Sequence, residues 1–285
     1  MAQKIAVAVI HGIGTQPSTF ARELTEGLNH RIQHVCGRDG VVIRPIYWAP
    51  VLDDSEKRLW NRLTSGGLMR WKAERRLMID FIGDAFAYQL TDDERKVYNA
   101  IHVRFAKTLK QLAKAAGPKA PLCIIAHSLG TIITSNYIYD LQYDSPKKSL
   151  IVPDVLRAMG DPPTPLERGE TLNLLYTMGS PLALWSLRYR HFGKPIRVPD
   201  HHMKLHYPEL GWEWINFYDA DDVIGFPLKG LNKAYDKVVT EDREVNVGNV
   251  LTSWNPSSHL FYWTDKDVLD PIAAKLIEIW RAVNP

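Results

Sequence analysis

The sequence predicts an α/β protein with a doubly wound, mostly parallel sheet and a helical cap insertion. Three observations carry that expectation. Short continuous apolar runs, the mark of strands buried on both faces, alternate with segments of helical period. The chain opens strand–helix–strand, the unit that builds a parallel sheet. Glycine-bearing turns follow directly on two of the apolar runs. The 285 residues read as a single α/β domain over 1–285, with the insertion at 53–90 inside it.

Lys4 to Ile10 (KIAVAVI) reads as the first strand, followed by the loop HGIGTQPS. A helix over about 20–35 sets Leu24, Leu28 and Ile32 on one face. Val41 to Trp48 reads as the second strand. The insertion over 53–90 is helical in period through Leu59, Leu63, Leu77, Ile79 and Phe86, and is broken at Ser65-Gly66-Gly67. Thr91, with Glu94 three residues on, has the form of a capping box for a helix reaching Ala116. Pro121 to Ala126 (PLCIIA) reads as a central strand, with a helix running from Leu129 to Tyr139. The Pro-rich stretch 144–169 reads as a long loop. Thr171–Met178, Trp212–Tyr218 and Arg243–Val247 read as further strands, and Asp265–Val283 as a closing helix.

The totals narrow the function classes. At 45% hydrophobic and 24% charged residues the chain can bury a sizeable core. A formal net charge of +3, with the basic residues dispersed, gives no footprint for nucleic acid. The two cysteines, Cys36 and Cys123, form no disulfide framework. With no signal-peptide pattern and no run long enough to cross a bilayer, the reading is cytoplasmic.

The chemistry concentrates at Ala126-His127-Ser128-Leu129-Gly130, between an apolar strand and a helix. A serine in so tight a turn needs small residues two before and two after it, here Ala126 and Gly130. The turn lifts Ser128 above the strand end and aims the Leu129 N–H at whatever the serine attacks, with the helix dipole adding positive potential. This context resembles the nucleophile elbow of the α/β-hydrolase family, most closely its lipase and esterase branches. Element order is similar over nearly the whole chain. Ala126 departs from the family's G-x-S-x-G pattern but remains small.

The resemblance implies the remaining roles. His11-Gly12-Ile13-Gly14, straight after the first strand, corresponds to the loop that supplies a second oxyanion N–H, with Ile13 the first choice of donor beside Leu129 and Gly14 the second. The loop lacks the G-K-[ST] ending of a phosphate loop. The acid follows a late strand, where Asp219-Ala220-Asp221-Asp222-Val223-Ile224 offers Asp222 first and Asp219 second. The base is His259, in Ser257-Ser258-His259-Leu260-Phe261, before the last helix. Ser128, Asp222, His259 is the family's chain order.

His11, Gly12, Gly14, His127 and Ser180 are expected around the substrate: His11 bracing its loop, His127 as site wall, Ser180 in the turn Gly179-Ser180-Pro181. No cofactor is implied. Asp200-His201-His202 with His206 offers ligand types for a metal, but Pro199 and Pro208 point to a loop there, and no metal is expected.

The implied activity is carboxylic-ester hydrolysis on a small-molecule or lipid-like acyl substrate. Thioesterase, acyltransferase and amidase chemistry share the same residues, and a non-catalytic binding member is the further alternative. The insertion, with its aromatic and Met residues and Arg70, Lys72, Arg75 and Arg76, has four readings: a lid, a dimer contact, a peripheral membrane contact, or a simply packed hairpin.

Overall fold

The computed structural model describes residues 2–13, 16–64, 83, 85, 87, 88, 95–248 and 259–285, with the backbone alone for 53–56. The fold is α/β. Six strands form one sheet in the order β2-β1-β3-β4-β5-β6, and every neighbouring pair is parallel. The strands are β1 (Ile5–Ile10), β2 (Val41–Ile46), β3 (Leu122–His127), β4 (Leu172–Met178), β5 (Glu213–Tyr218) and β6 (Glu241–Glu244). The longer helices are α1 (Arg22–Cys36), α2 (Asp53–Thr64), α3 (Lys96–Ala116), α4 (Leu129–Tyr143) and α9 (Lys266–Val283). The short ones are α5 (Pro153–Ala158), α6 (Leu182–Ser186), α7 (Met203–His206) and α8 (Lys233–Val238).

The period of two along a strand divides the core into two layers. From β1, Ala6, Ala8 and Ile10 join Ile101, Phe105 and Leu109 of α3 and Ile132 of α4. Ile5, Val7 and Val9 face the other way, onto Leu24, Leu28 and Ile32 of α1 and Ile272 and Leu276 of α9. Each fully buried Leu or Ile contributes about 1.5–3 kcal/mol through the area it removes from water. Because α1, which follows β1, and α4, which follows β3, lie on opposite faces, the connections leaving these two strands diverge. A crevice opens at the carboxyl ends of these neighbouring strands, the place where open parallel sheets carry their sites.

Several elements differ from the sequence expectation. The stretch 144–169 contains α5, opened by Pro153, whose fixed φ suits a first helical turn, and anchored by buried Val155. The last strand is Glu241–Glu244 rather than 243–247. It is an edge strand of charged residues, so no apolar run marks it. A helical turn, α7, forms between Pro199 and Pro208 where a loop was expected. Asp200 opens that turn by accepting from the His202 N–H at 2.8 Å. Helix α4 runs on to Tyr143.

Of the insertion, α2 is described and is helical as its period predicts. Tyr88 is buried and its hydroxyl lies 2.8 Å from His102 Nε2 on α3. Residues 65–82, 84, 86, 89 and 90, and the capping pair Thr91 and Glu94, lie outside the described residues. Cys36 and Cys123 are free and buried. No helix among the described residues is long and apolar enough to cross a membrane.

Candidate active site

Ser128 stands between β3 and α4 with φ 53° and ψ −129°, a region that non-glycine residues rarely occupy. Such strain persists only where the surroundings over-determine it, and here they do. The Ser128 N–H donates to the Met178 carbonyl at 2.9 Å. The Ser128 carbonyl accepts from the Thr131 N–H at 2.9 Å and from Thr131 Oγ1 at 2.7 Å. Two glycines permit the close packing. A β-carbon on Gly130 would lie 2.5 Å from the His11 carbonyl oxygen, and one on Gly12 would lie 2.5 Å from Ser128 Cβ and 3.0 Å from its Oγ. Leu129 is the first residue of α4, where backbone N–H groups have no intrahelical acceptor. Ile13 is buried just beyond Gly12. Gly14 lies outside the described residues, as do Ser257 and Ser258.

A continuous hydrogen-bonded chain runs from this serine. Ser128 Oγ is 2.8 Å from His259 Nε2, and His259 Nδ1 is 2.9 Å from Asp222 Oδ2. All three residues are buried. Asp222 Oδ2 also accepts from the Tyr262 hydroxyl at 2.8 Å, and Oδ1 from the Ile224 N–H at 2.9 Å. Burial works to raise the Asp222 carboxyl. The hydrogen bond and charge of His259, with the Ile224 N–H and Tyr262, outweigh it and hold the group below the usual carboxylate range. An ionised Asp222 fixes the proton on His259 Nδ1 and leaves Nε2 able to take a proton from the hydroxyl.

The alternative acid is spoken for elsewhere. Asp219 accepts from the Asp221 N–H at 2.8 Å and from the Val247 N–H at 2.7 Å, while its own N–H donates to the Tyr262 oxygen at 2.9 Å. It ties the loop together; Asp222 faces the imidazole.

The other expected residues are brought to the same place in supporting positions. His11 Nε2 accepts from the Trp48 N–H at 3.1 Å and the Ala49 N–H at 3.3 Å, so its proton sits on Nδ1, which donates to the Gly12 carbonyl at 2.9 Å. Its ring stacks on Trp48 at 4.8 Å. Burial, slightly opposed by the Gly12 hydrogen bond, pushes this imidazole down to about 3, so it stays neutral. His127 Nε2 donates to the His259 carbonyl at 2.7 Å and thereby holds the loop that carries His259. Burial, aided by the nearby His259, pushes His127 down to about 3 as well. Ser180 is buried, its Oγ 2.9 Å from Thr131 Oγ1 and accepting from the Leu182 N–H at 3.3 Å. It braces the first turn of α4 from below.

Three residues at the site carried no assigned role in the sequence reading. Gly179 (φ 53°) and Gly225 have no room for a side chain. A β-carbon on Gly179 would lie 2.9 Å from both Asp222 Oδ2 and His259 Nδ1, and one on Gly225 2.8 Å from Asp222 Oδ2. Tyr262 clamps both aspartates. The available signal for Gly179 was its position between a strand and Ser180-Pro181; Tyr262 had none beyond its nearness to His259 in sequence.

A cleft of about 400 Å3 adjoins the chain of residues. Gly12, Ile13, His127 and His259 line its inner end, and Phe20 and Trp263 form an apolar wall, their rings edge to face at 5.8 Å. Ser128 itself is fully buried behind these residues. Elsewhere, Asp200, His201 and His202 bring one ligand atom each within 4.8 Å of one another. His206, however, is directed to Glu170, Nε2 to Oε2 at 2.9 Å. Comparison of the chain with protein-family models, with curated proteins and with solved structures gives no match.

Proposed function

We propose that the protein is a serine hydrolase of the α/β-hydrolase fold that cleaves carboxylic esters through an acyl-enzyme on Ser128. The single observation that carries this reading is the unbroken chain Ser128 Oγ–His259 Nε2–Asp222, at 2.8 and 2.9 Å, built on a strained serine at a strand-to-helix turn. Few structural needs call for that arrangement, whereas nucleophilic acyl transfer needs all of it.

In this reading Ser128 Oγ attacks the acyl carbon as His259 Nε2 takes its proton. The N–H groups of Leu129 and Ile13 receive the charge that develops on the carbonyl oxygen, each such donor being worth ~3 kcal/mol. The tetrahedral species collapses, His259 returns the proton to the departing alcohol, and the acyl group stays on Ser128. Water, deprotonated by His259, then releases the acid and restores the serine. The apolar wall of Phe20 and Trp263 suits an acyl chain.

The test is labelling of purified protein with a fluorophosphonate, in the native chain and in Ser128→Ala, with and without a mild detergent to uncover the buried serine. Labelling that disappears with Ser128→Ala, followed by hydrolysis across esters of rising chain length, supports the reading. A folded protein that labels under neither condition overturns it.

A further inference from the structure

We propose that Leu182–Arg197 is a docking surface for a bilayer rich in anionic lipid. The sequence LALWSLRYRHFGKPIR carries Arg188, Arg190, Lys194 and Arg197, and no acidic residue occurs between Ser180 and Asp200. The same stretch exposes large apolar side chains. Leu187 is 71% and Tyr189 50% exposed, and Leu184 and Phe192 are exposed beside them. Monomeric surfaces rarely gather so many without a partner.

The presentation is built into the backbone. His191, Phe192 and Gly193 have φ of 54°, 60° and 70°, three successive residues in the left-handed region. The Asn232 amide holds this turn by donating to the carbonyls of His191 at 3.0 Å and Gly193 at 3.2 Å. Beside the turn lies a cleft of about 450 Å3, walled by Tyr139, Trp185 and Phe192 and rimmed by Lys148, Arg190 and Lys194, which suits a phosphate headgroup above an apolar tail.

Charge decides the occupant. The chain's own insertion is close to neutral, with seven Lys and Arg against six Asp and Glu over 53–90, so it offers this face no compensating charge, and a second copy of this face would oppose like with like. Nucleic acid would use the cations and aromatic rings but gains nothing from Leu184 and Leu187. Aliphatic and aromatic side chains interleaved with arginine and lysine match the boundary of an anionic membrane, where the rings sit at headgroup level. The docking does not depend on Ser128 being a nucleophile.

Flotation of the full chain with phosphatidylcholine vesicles, alone or with roughly a third phosphatidylserine, tests it. Binding is expected to the anionic vesicles only, and to weaken with added salt. Arg188→Gln with Arg190→Gln should reduce partitioning about fivefold per cation. Leu187→Ser with Tyr189→Ser should reduce it further, with the melting temperature and hydrolysis of a short water-soluble ester unchanged. Ser128→Ala should bind vesicles as the native chain does, which separates this proposal from the hydrolase reading. No binding to either vesicle, equal binding to both, binding undiminished in the variants, or capture by polyglutamate or RNA without capture by vesicles overturns it.

Discussion

Tyr262 donates its hydroxyl to the same carboxylate oxygen of Asp222 that faces His259, at 2.8 Å, and with its own oxygen accepts the N–H of Asp219. One phenol therefore fixes Asp222 and the loop that carries it. Tyr262→Phe removes an interaction that lowers the Asp222 carboxyl, so that group rises toward its ordinary value and holds the imidazole less firmly. Loss of one hydrogen bond to a charged group predicts about a tenfold fall in kcat/KM. The stranded Asp219 N–H costs about 1–3 kcal/mol of stability, read by denaturant unfolding. An unchanged kcat/KM in Tyr262→Phe contradicts the account.

The two aspartates should separate cleanly. Asp222→Asn removes the group that sets the His259 tautomer while keeping its shape, so turnover of a soluble ester should fall by roughly ten-thousand-fold in a protein that still folds. Asp219→Ala leaves the N–H groups of Asp221 and Val247 without their acceptor. It should cost about 1–3 kcal/mol per buried N–H and change turnover of the folded protein only a few-fold. Equal loss of activity in both variants means that the acid is wrongly assigned.

Gly12→Ala and Gly179→Ala test the packing of the site directly. The first forces a β-carbon to 2.5 Å from Ser128 Cβ, and the second places one against Asp222 and His259 at a positive φ. Gly179→Ala carries an additional conformational penalty of about 1–2 kcal/mol. Both should abolish fluorophosphonate labelling while circular dichroism still reports a folded α/β protein. Full labelling of Gly12→Ala would show that the serine turn has slack that this packing denies.

Acid should unfold the protein early. Burial pushes His11, His102 and His127 each down to about 3 from an ordinary value of 6.5. Between those values the unfolded chain binds protons that the native state refuses, so stability falls as pH drops through that window. Asp140 works the other way. Burial lifts it to about 6, so the native state holds its proton first. Three imidazoles against one carboxyl leave a net of about two protons, or about 2.7 kcal/mol per pH unit. Over two units this rivals the whole stability of a typical domain, 5–15 kcal/mol. Depressed Asp222 adds to the loss once pH falls below the ordinary carboxylate range. Far-ultraviolet circular dichroism during titration should show cooperative unfolding before about pH 4; a native signal at pH 4 and below contradicts the buried neutral imidazoles.

Much of this architecture was legible in the sequence because local signals and tertiary demands agree. β1 is apolar throughout, and β3 and β4 are apolar but for His127, Asn173 and Thr177, as strands buried on both faces require. α1 repeats its apolar residues every four positions because one stripe meets the sheet. Where the demands part, legibility fails. β6 is charged because an edge strand has a free side, and α5 is too short for a period to show. The serine turn could be read locally, since Ala126 and Gly130 report their own crowding. The choice between Asp219 and Asp222 could not: both lie in one acidic turn, and the distinction comes from His259, Val247 and Tyr262, which approach from later in the chain. Gly179 and Gly225 were opaque for the same reason, since the atoms that forbid their side chains belong to other elements.

The split of the core into two apolar layers has a consequence for how damage spreads. The sheet stands between Phe105 on one side and Leu276 on the other, so a cavity opened in one layer relaxes without reaching the other. Substitutions on opposite faces should add independently, while pairs within one layer should couple. Both layers end at the same rim, where Ser128 and His259 meet. The sheet thus insulates its two halves from each other's defects, and the serine–histidine contact is where both kinds of error are summed.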